Sequence, residues 1–315
     1  MAEGFASPIV SRSMPADTAA PFTSSFDYRA LGDRLRAYRI GAGLLAEDVA
    51  GPLGVSRAVV YRMEKGEIVK IETLERLAAL LGTTMASLLG VEVEYHATAL
   101  GLMERMRQLE QGCDRIVSHF EPISLLLTSD AYLGHLREML LEAGPGAGAQ
   151  GTRLAEVDKM LAILGERKAT FEKRRPHIVS LIGLRELERF VRTGLVGRLD
   201  LPDAVRATRV AAARLEVERI AERMESEPMD VQIGLVDDAM PAATFQIFSG
   251  GAPAVLAVSP FRFGELPNIH NGIATVTASP EALRMYREMI DRLWKQAVKG
   301  KSGAQQLRRL LGRMA

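Results

Sequence analysis

The sequence is poor in cysteine and in long apolar runs, and both shortages exclude whole classes of protein. One cysteine, Cys113, stands among 315 residues, which excludes an internal disulfide framework and a cysteine-only zinc site. A lone cysteine is usually a small buried apolar residue, and the alternative role is that of a redox sensor. No stretch of about 18 apolar residues predicts a transmembrane helix. The N-terminus also lacks the basic start and apolar core of a signal peptide, so we expect a cytoplasmic protein.

An excess of charge of one sign is also missing. The chain has 40 Lys and Arg residues against 39 Asp and Glu residues, which gives a formal net charge of +1. This balance excludes a uniformly basic, histone-like DNA-binding protein. It still allows a regulator, because the basic residues of a regulator need to cluster on only one face.

Motifs of catalytic and metal chemistry are absent as well. The sequence contains no HExxH zinc motif, no Walker phosphate-binding loop and no GxSxG nucleophile elbow. The five histidines are scattered along the chain without the spacing of metal ligands. We therefore expect no enzymatic activity, no metal and no cofactor.

The N-terminal third predicts an unstructured arm followed by a small helical domain. Residues 1–27 mix Ser, Pro, Ala and Gly without apolar periodicity and are predicted to form a disordered arm. Residues 28–92 predict five short helices, because apolar residues recur at helical spacing between glycine-containing turns. Gly54 stands in one of these turns, and Ser56 stands at an N-cap position before the third helix.

Three segments of this helical domain carry a family pattern: LGDRLRAYR, VAGPLGVSRAVVYRMEKG and IETLERLAALLGTTMASLL. Together they resemble the Xre (lambda-repressor-like) helix-turn-helix family, which implies a DNA-binding domain. The sequence departs from the family at the start of the second helix. The family often has Thr-Gln there, with the Gln on a DNA phosphate, whereas this chain has Leu45 and Ala46. We therefore expect the phosphate contacts to come from Lys or Arg elsewhere.

The resemblance implies that the third helix lies in the major groove with its N-terminal part facing the bases. Val60 and Met63 would then point into the helical core. Arginine can contact guanine bidentately, whereas the remaining cations more commonly contact phosphates. The candidate DNA-binding residues are Ser56, Arg57, Ala58, Tyr61, Arg62, Lys65, Lys70 and Arg39. Because one such unit covers about one major groove, we expect a homodimer on double-stranded DNA with an inverted repeat.

The larger C-terminal part is predicted to be an α/β domain. Residues 93–112 have apolar residues at helical spacing (Leu100, Met103, Met106 and Leu109), which predicts a connecting helix that pairs across a dimer. Residues 113–298 alternate helical segments with strand-like runs such as RIVSHF and HIVSLIG, and they include a flexible loop, GPGAGAQG. Residues 299–315 are expected to form a basic tail. The predicted fold class is multidomain: an all-α helix-turn-helix followed by an α/β domain with a mixed β-sheet.

The order of the C-terminal segments resembles that of the phospholipase-D-like sensor domains fused to some bacterial and archaeal regulators. The catalytic motif of phospholipase D is His-x-Lys with an Asp four residues later. It is missing here, because His177 is followed by Ile-Val and His270 by Asn-Gly. The resemblance therefore implies a sensor and not a phosphodiesterase.

The candidate ligand site is the polar run SPFRFGELPNIHNG, which lies between two predicted strands. Loops at the ends of sheets often carry ligand contacts on a rigid scaffold. The candidate effector-binding residues are Arg262, Glu265, Asn268, His270 and Asn271. Arg262 suits an anionic small molecule, and Asn268 or His270 could orient it. The alternative interpretation is an ordinary polar loop.

These features together predict a transcriptional regulator, expected to be a repressor, that responds to a small-molecule effector. The effector would bind the C-terminal domain and favour one spacing of the two recognition helices, which changes the affinity for DNA. Two alternatives concern the C-terminal domain. It could be a module for protein interaction or oligomerisation, as in antitoxins, or a remnant of an enzyme.

Overall fold

The computed structural model describes residues 27–67, 70–91, 93–143, 150–250 and 253–314. The arm predicted at 1–27 lies outside these ranges, except that Asp27 caps the first helix by accepting a hydrogen bond from the Ala30 amide at 2.9 Å. Most of the loop GPGAGAQG also lies outside the described residues. Within the described ranges, no helix has the length and apolar character needed to cross a membrane.

Five short helices form the N-terminal domain, as the apolar periodicity predicts. They are α1 (Tyr28–Gly41), α2 (Ala46–Leu53), α3 (Arg57–Glu64), α4 (Ile71–Leu80) and α5 (Met85–Leu89). Their apolar faces close one small core that includes Leu35, Val60 and Leu77. Gly54 makes the turn between α2 and α3 with a φ of +70°, a left-handed conformation that glycine adopts without a steric penalty.

A mixed sheet forms the centre of the C-terminal domain, as the segment pattern predicts. Its strands are β1 (Val93–His96), β2 (Arg115–His119), β3 (His177–Gly183), β4 (Val231–Val236), β5 (Thr244–Ser249), β6 (Val255–Ser259), β7 (Ala274–Thr277) and β8 (Val298–Lys299). The order across the sheet is β1-β7-β6-β5-β2-β3-β4-β8. The pairs β2–β3 and β3–β4 are parallel, and the other neighbouring pairs are antiparallel.

Helices cover the two faces of the sheet unequally. The helices of this domain are α6 (Ala99–Gly112), α7 (Ala131–Glu142), α8 (Gln150–Arg174), α9 (Leu184–Thr193), α10 (Asp203–Ser226), α11 (Pro280–Gln296) and α12 (Gly300–Arg313), with a 3-10 turn at Leu125–Leu127. The helices α6 to α10 and α12 share the large core with Ile116 and Ile178 on one face. On the other face α11 packs against residues such as Leu181 and Phe245. Because α11 alone covers this second face in the described structure, space remains beside it.

The prediction of a connecting and dimerisation helix at 93–112 is wrong in two respects. The segment begins with β1, an edge strand that pairs with β7, and the helix α6 begins only at Ala99. Leu100, Met103 and Met106 are buried within the same chain, where α1 and α8 flank α6. The periodicity identifies the helix correctly, but it does not distinguish packing within one chain from packing across a dimer.

The basic tail expected at 299–315 is instead an ordered helix, α12. Leu307 and Leu310 are buried, and α12 packs along α10. Arg214 of α10 donates hydrogen bonds at 2.9 and 3.1 Å to the last carbonyls of the segment, which would otherwise lack partners. The basic residues of α12 lie on its outer side, whereas its apolar side is part of the core. The abundance of basic residues in this segment is what suggests a tail.

The helix-turn-helix domain docks on the C-terminal domain through close approach of α1 and α6. A Cβ atom added to Gly41 would lie 3.0 Å from the Cα of Gly101, and the Thr98 hydroxyl donates a hydrogen bond to the Gly41 carbonyl at 3.1 Å. The ring of Tyr38 in α1 stacks on the ring of His96 in β1, with the centroids 5.0 Å apart. The helix α1 is therefore in contact with both α6 and the edge of the sheet.

Two buried carboxylates, Glu94 and Glu104, bind arginines at the same interface. Arg105 of α6 binds the carboxylate of Glu94 bidentately at 2.8 and 2.9 Å, and Arg34 of α1 lies 3.8 Å from that carboxylate. Arg36 of α1 pairs with the buried Glu104 of α6 at 2.8 Å. Burial alone raises the pKa of Glu94, but the charge and hydrogen bonds of Arg105, with a further contribution from His96, outweigh it and lower the pKa to about 2. Because these buried charges need their partners, separating the two domains would be costly.

We predict that Leu307→Ala lowers the free energy of unfolding by about 2–5 kcal/mol, because it leaves a cavity between α12 and α10. Urea denaturation followed by circular dichroism measures this change. The matched control Arg309→Ala alters an exposed residue of the same helix and should stay within about 0.5 kcal/mol of wild type. Equal stability of both variants would mean that 299–315 is a tail after all.

We predict that Glu94→Gln destabilises the protein by about 3 kcal/mol at neutral pH, because it leaves buried arginines without their carboxylate. The lowered pKa means that the stabilisation by Glu94 is complete above its ordinary pKa of 4.5 and is lost as the pH falls toward about 2. The difference between wild type and variant in urea denaturation should therefore shrink over that pH window. A difference that stays constant, or an equal effect of the exposed control Glu72→Gln, would contradict the ion-paired interface.

Candidate nucleic-acid interface

The helix α3 is fixed at its N-terminus and on its inner side. The Ser56 hydroxyl accepts a hydrogen bond from the Val59 amide at 3.4 Å and so caps the helix. Val60 is buried, and Met63 packs partly against the same core, as predicted. The remaining side of α3 is therefore turned outward.

The candidate DNA-contacting residues of α3 share this outer side. The exposed members are Ser56, Arg57, Ala58, Tyr61, Arg62 and Lys65, and Lys70 is exposed directly before α4. Arg62 pairs with Glu67 at 3.3 Å, and both side chains are more than half exposed. A pair so exposed contributes at most about 1 kcal/mol, so Arg62 can exchange Glu67 for another partner at little cost.

The structure does not bring Arg39 to this surface, which corrects the prediction that it contacts phosphate. Arg39 is buried, and its Nε and Nη2 atoms donate to the carboxylate of Glu64 at 2.5 and 3.1 Å. Its Nη1 atom donates to the Leu44 carbonyl at 2.9 Å. The pair joins α1 to the end of α3, so Arg39 orients α3 from inside. Nothing in the sequence near Arg39 identifies Glu64 as its partner, which only tertiary packing reveals.

The N-terminus of α2 carries negative charge where the family often places a phosphate-binding glutamine. Leu45 is the exposed N-cap residue, and Ala46 is buried. Glu47 and Asp48 in the first turn are exposed, and Asp48 accepts a hydrogen bond from the Leu45 amide at 2.7 Å. These carboxylates occupy the helix end that favours an anion. The geometry therefore favours phosphate contacts from the cations on and after α3.

The five candidate effector residues divide between two places, and the first lies just beyond the carboxyl end of β2. There Arg189 donates to the buried carboxylate of Glu265 at 2.6 Å, and Arg262 lies 3.8 Å from Glu121. Burial lowers the pKa of Arg189, but its hydrogen bond and attraction to Glu265 outweigh burial and raise it. Glu265 is thus engaged in an internal ion pair.

The second place is a turn formed by Asn268, His270 and Asn271. The Asn268 side chain accepts from the Asn271 amide at 2.9 Å and donates to the Asn271 carbonyl at 2.8 Å. His270 is exposed, with its Nδ1 atom 3.8 Å from Glu156. The cavity beside this turn has a volume of about 80 Å³, whereas small-molecule sites usually need about 300 Å³ or more. The effector role of the five residues stays a prediction, and the contacts favour a role in holding the loop together.

Cys113 is a free cysteine and is buried. Burial raises the pKa of the Cys113 thiol to about 12, with the Glu110 carboxylate adding to the effect. A thiol with that pKa is protonated at neutral pH and reacts slowly with oxidants, so Cys113 fits the buried apolar interpretation. Among the residues that the structure describes, no group of three or more His, Cys, Asp or Glu side chains could hold a metal ion.

We predict that Arg39→Ala lowers the free energy of unfolding of the DNA-free protein by about 3–5 kcal/mol, because it leaves the Glu64 carboxylate buried without its partner. The exposed control Lys65→Ala should change stability by no more than about 0.5 kcal/mol. Urea denaturation without DNA measures both. An Arg39→Ala variant with wild-type stability and weaker DNA binding would restore the phosphate-contact role.

Comparison with known families agrees with this geometry. A family model described as a helix-turn-helix domain matches residues 30–89, which cover most of α1 and all of α2 to α5. No match was found among curated proteins. The chain therefore contains a helix-turn-helix domain, with α3 as its exposed, cation-bearing helix, and this supports a DNA-binding regulator.

Proposed function

We propose that the protein is a sequence-specific, DNA-binding transcriptional regulator of the Xre type. The observation that carries the proposal is the outer side of α3, where Arg57, Arg62 and Lys65 stand exposed on a capped helix within the matched helix-turn-helix domain. In such domains this helix enters the major groove with its N-terminal residues toward the bases. The protein acts on double-stranded DNA.

The exposed residues of α3 divide into those that read bases and those that position the protein. Arg57 lies in the first turn and suits bidentate contact with guanine O6 and N7. Ala58 suits contact with a thymine methyl group, and Tyr61 adds a half-exposed aromatic ring beside it. Lys65 and Lys70 lie at the far end of α3 and beyond it, so they suit phosphates, which set the register.

We propose that the protein binds as a homodimer and that its C-terminal domain is a non-catalytic sensor for a small molecule. One helix-turn-helix covers about one major groove, so specific affinity needs a second copy at an inverted half-site. The size and mixed sheet of the C-terminal domain are consistent with a sensor of the phospholipase-D-like kind. Repression is the expected direction of control.

The docking of α1 on α6 limits how an effector can act. The pair of Arg36 with the buried Glu104 and the buried pair of Arg34 with Glu94 link the helix-turn-helix domain to the C-terminal domain. A hinge between the domains would have to break them. We therefore propose that the effector changes the arrangement of two rigid protomers, and with it the spacing of the two α3 helices, with a coupling free energy of about 1–3 kcal/mol.

We predict different effects of Arg57→Ala and Lys65→Ala on binding to a duplex selected by the wild-type protein from a random-sequence pool. Arg57→Ala should remove about 1–3 kcal/mol of discrimination at one base pair. Lys65→Ala should weaken binding to all sequences alike and lower the slope of log K against log salt by about one. Fluorescence anisotropy at several salt concentrations measures both.

The matched control for both variants is Arg292→Ala, which removes an exposed cation from α11 in the C-terminal domain. It should bind the selected duplex as the wild type does. Wild-type affinity and salt dependence of Arg57→Ala and Lys65→Ala would show that α3 does not face DNA, and the proposed function would be wrong.

A further inference from the structure

The face of the sheet that carries α11 contains a groove of ligand size. It lies between α11 and the strands β2 to β5, and its volume is about 350 Å³, within the range of about 300–1,000 Å³ of small-molecule sites. The groove is more than four times the volume of the cavity of about 80 Å³ beside the 262–271 loop. It is therefore the better candidate for an effector site.

The floor of the groove has an apolar centre, flanked by the polar residues Gln232 of β4 and Ser249 of β5. Val117 of β2, Val179 of β3 and Ile247 of β5 line it from the sheet, and Ile290 lines it from α11. These strands are neighbours in the sheet, so the three side chains form a continuous surface. A flat apolar body would remove this surface from water, which favours its binding.

The rim of the groove carries cations from two different elements. Arg115 lies at the start of β2 and Arg287 lies on α11. Neither guanidinium forms an ion pair within 4.0 Å with any residue that the structure describes, whereas most arginines near the helix-turn-helix interface do. Asp291 is the one carboxylate among the lining residues. Two guanidinium groups against one carboxylate leave a surplus of positive charge above an apolar floor.

An aromatic side chain closes one end of the groove. Trp294 of α11 lies over β4 at Gly234, where an added Cβ atom would come within 2.8 Å of the indole ring. The ring is partly exposed, and it also borders a second cavity, where Lys299 Nζ lies 5.0 Å from the ring centroid. Trp294 thus offers part of its ring system to a ligand, and aromatic rings favour offset or edge-to-face contact with another ring.

We propose that this groove binds an aromatic carboxylate. The ligand's carboxylate lies between Arg115 and Arg287, and its ring lies on the apolar floor against Trp294. Use of this ligand as the effector rests on the proposed regulatory function, but binding itself does not require DNA. The site also differs from the residues 262–271 to which the sequence assigns effector binding.

Trp294 makes the test direct, because it is the single tryptophan of the chain. The full-length protein without DNA is titrated with phenylacetate, benzoate and phenylpropionate, with phenylacetamide as the neutral analogue and inorganic phosphate as the anion without a ring. Calorimetry gives the affinity, and tryptophan fluorescence reports whether the ligand reaches the groove. We expect at least one carboxylate to bind with a Kd below about 1 mM and to change the fluorescence, while phenylacetamide and phosphate bind at least about tenfold more weakly.

Variants assign the binding to the groove. Arg287→Met and Arg115→Met should each weaken binding of the carboxylate about tenfold or more, because each removes a charge-assisted hydrogen bond. Arg292→Met is the matched control, since this exposed arginine of α11 does not line the groove, and it should bind as the wild type does. All three positions are exposed, so thermal unfolding should show an intact fold.

Several results would overturn the proposal. These are the absence of saturable binding by all three carboxylates, equal binding of phenylacetamide or phosphate, and wild-type affinity of both groove variants. None of them bears on the DNA-binding function, which the Arg57 and Lys65 variants test separately. Conversely, if the protein binds the carboxylate but selects no DNA sequence, the ligand site is supported and the proposed regulatory function is contradicted.

Discussion

The architecture depends on the contact between α1 of the helix-turn-helix domain and α6 of the C-terminal domain. At Gly41 and Gly101 the two backbones approach closely enough that a larger side chain would force them apart. Around this point Glu94 is buried with Arg105 and Arg34, and its lowered pKa reflects how strongly its charge is stabilised there. Buried charges of this kind tolerate little separation of their partners. The DNA-binding domain and the sheet domain consequently behave as one body.

This constraint determines how a signal could pass from the C-terminal domain to DNA. The recognition helix α3 is held from inside by the Arg39–Glu64 pair, and α1 carries that pair into the contact with α6. A ligand in the groove beneath α11 would therefore act on the position of a whole protomer and not on a flexible linker. In a dimer a small rotation of each protomer changes the distance between the two α3 helices, which must match the spacing of the half-sites.

The sequence predicts most helices and strands correctly, but it predicts the contacts between them poorly. The five N-terminal helices and the strands β2 to β7 of the mixed sheet follow from local periodicity and from turn residues such as Gly54, because those signals act over a few residues. Leu100, Met103 and Met106 are correctly apolar, but whether they face α1 or a second copy depends on distant parts of the chain. The prediction that Arg39 contacts DNA is wrong for the same reason, because nothing near Arg39 in the sequence identifies Glu64 as its partner. The groove at Trp294 combines β2, β3, β5 and α11, and no local pattern brings these together.

We propose that two copies of this unit read DNA with their α3 helices, and sequencing the genomic fragments bound by the purified protein tests this most directly. We predict a shared inverted repeat whose half-sites are separated by about 10 base pairs or a multiple of that distance, because the two helices must enter the same side of the duplex. Binding should persist at moderate salt for these fragments alone. Recovery of fragments without a common sequence, bound only at low salt, would contradict the claim.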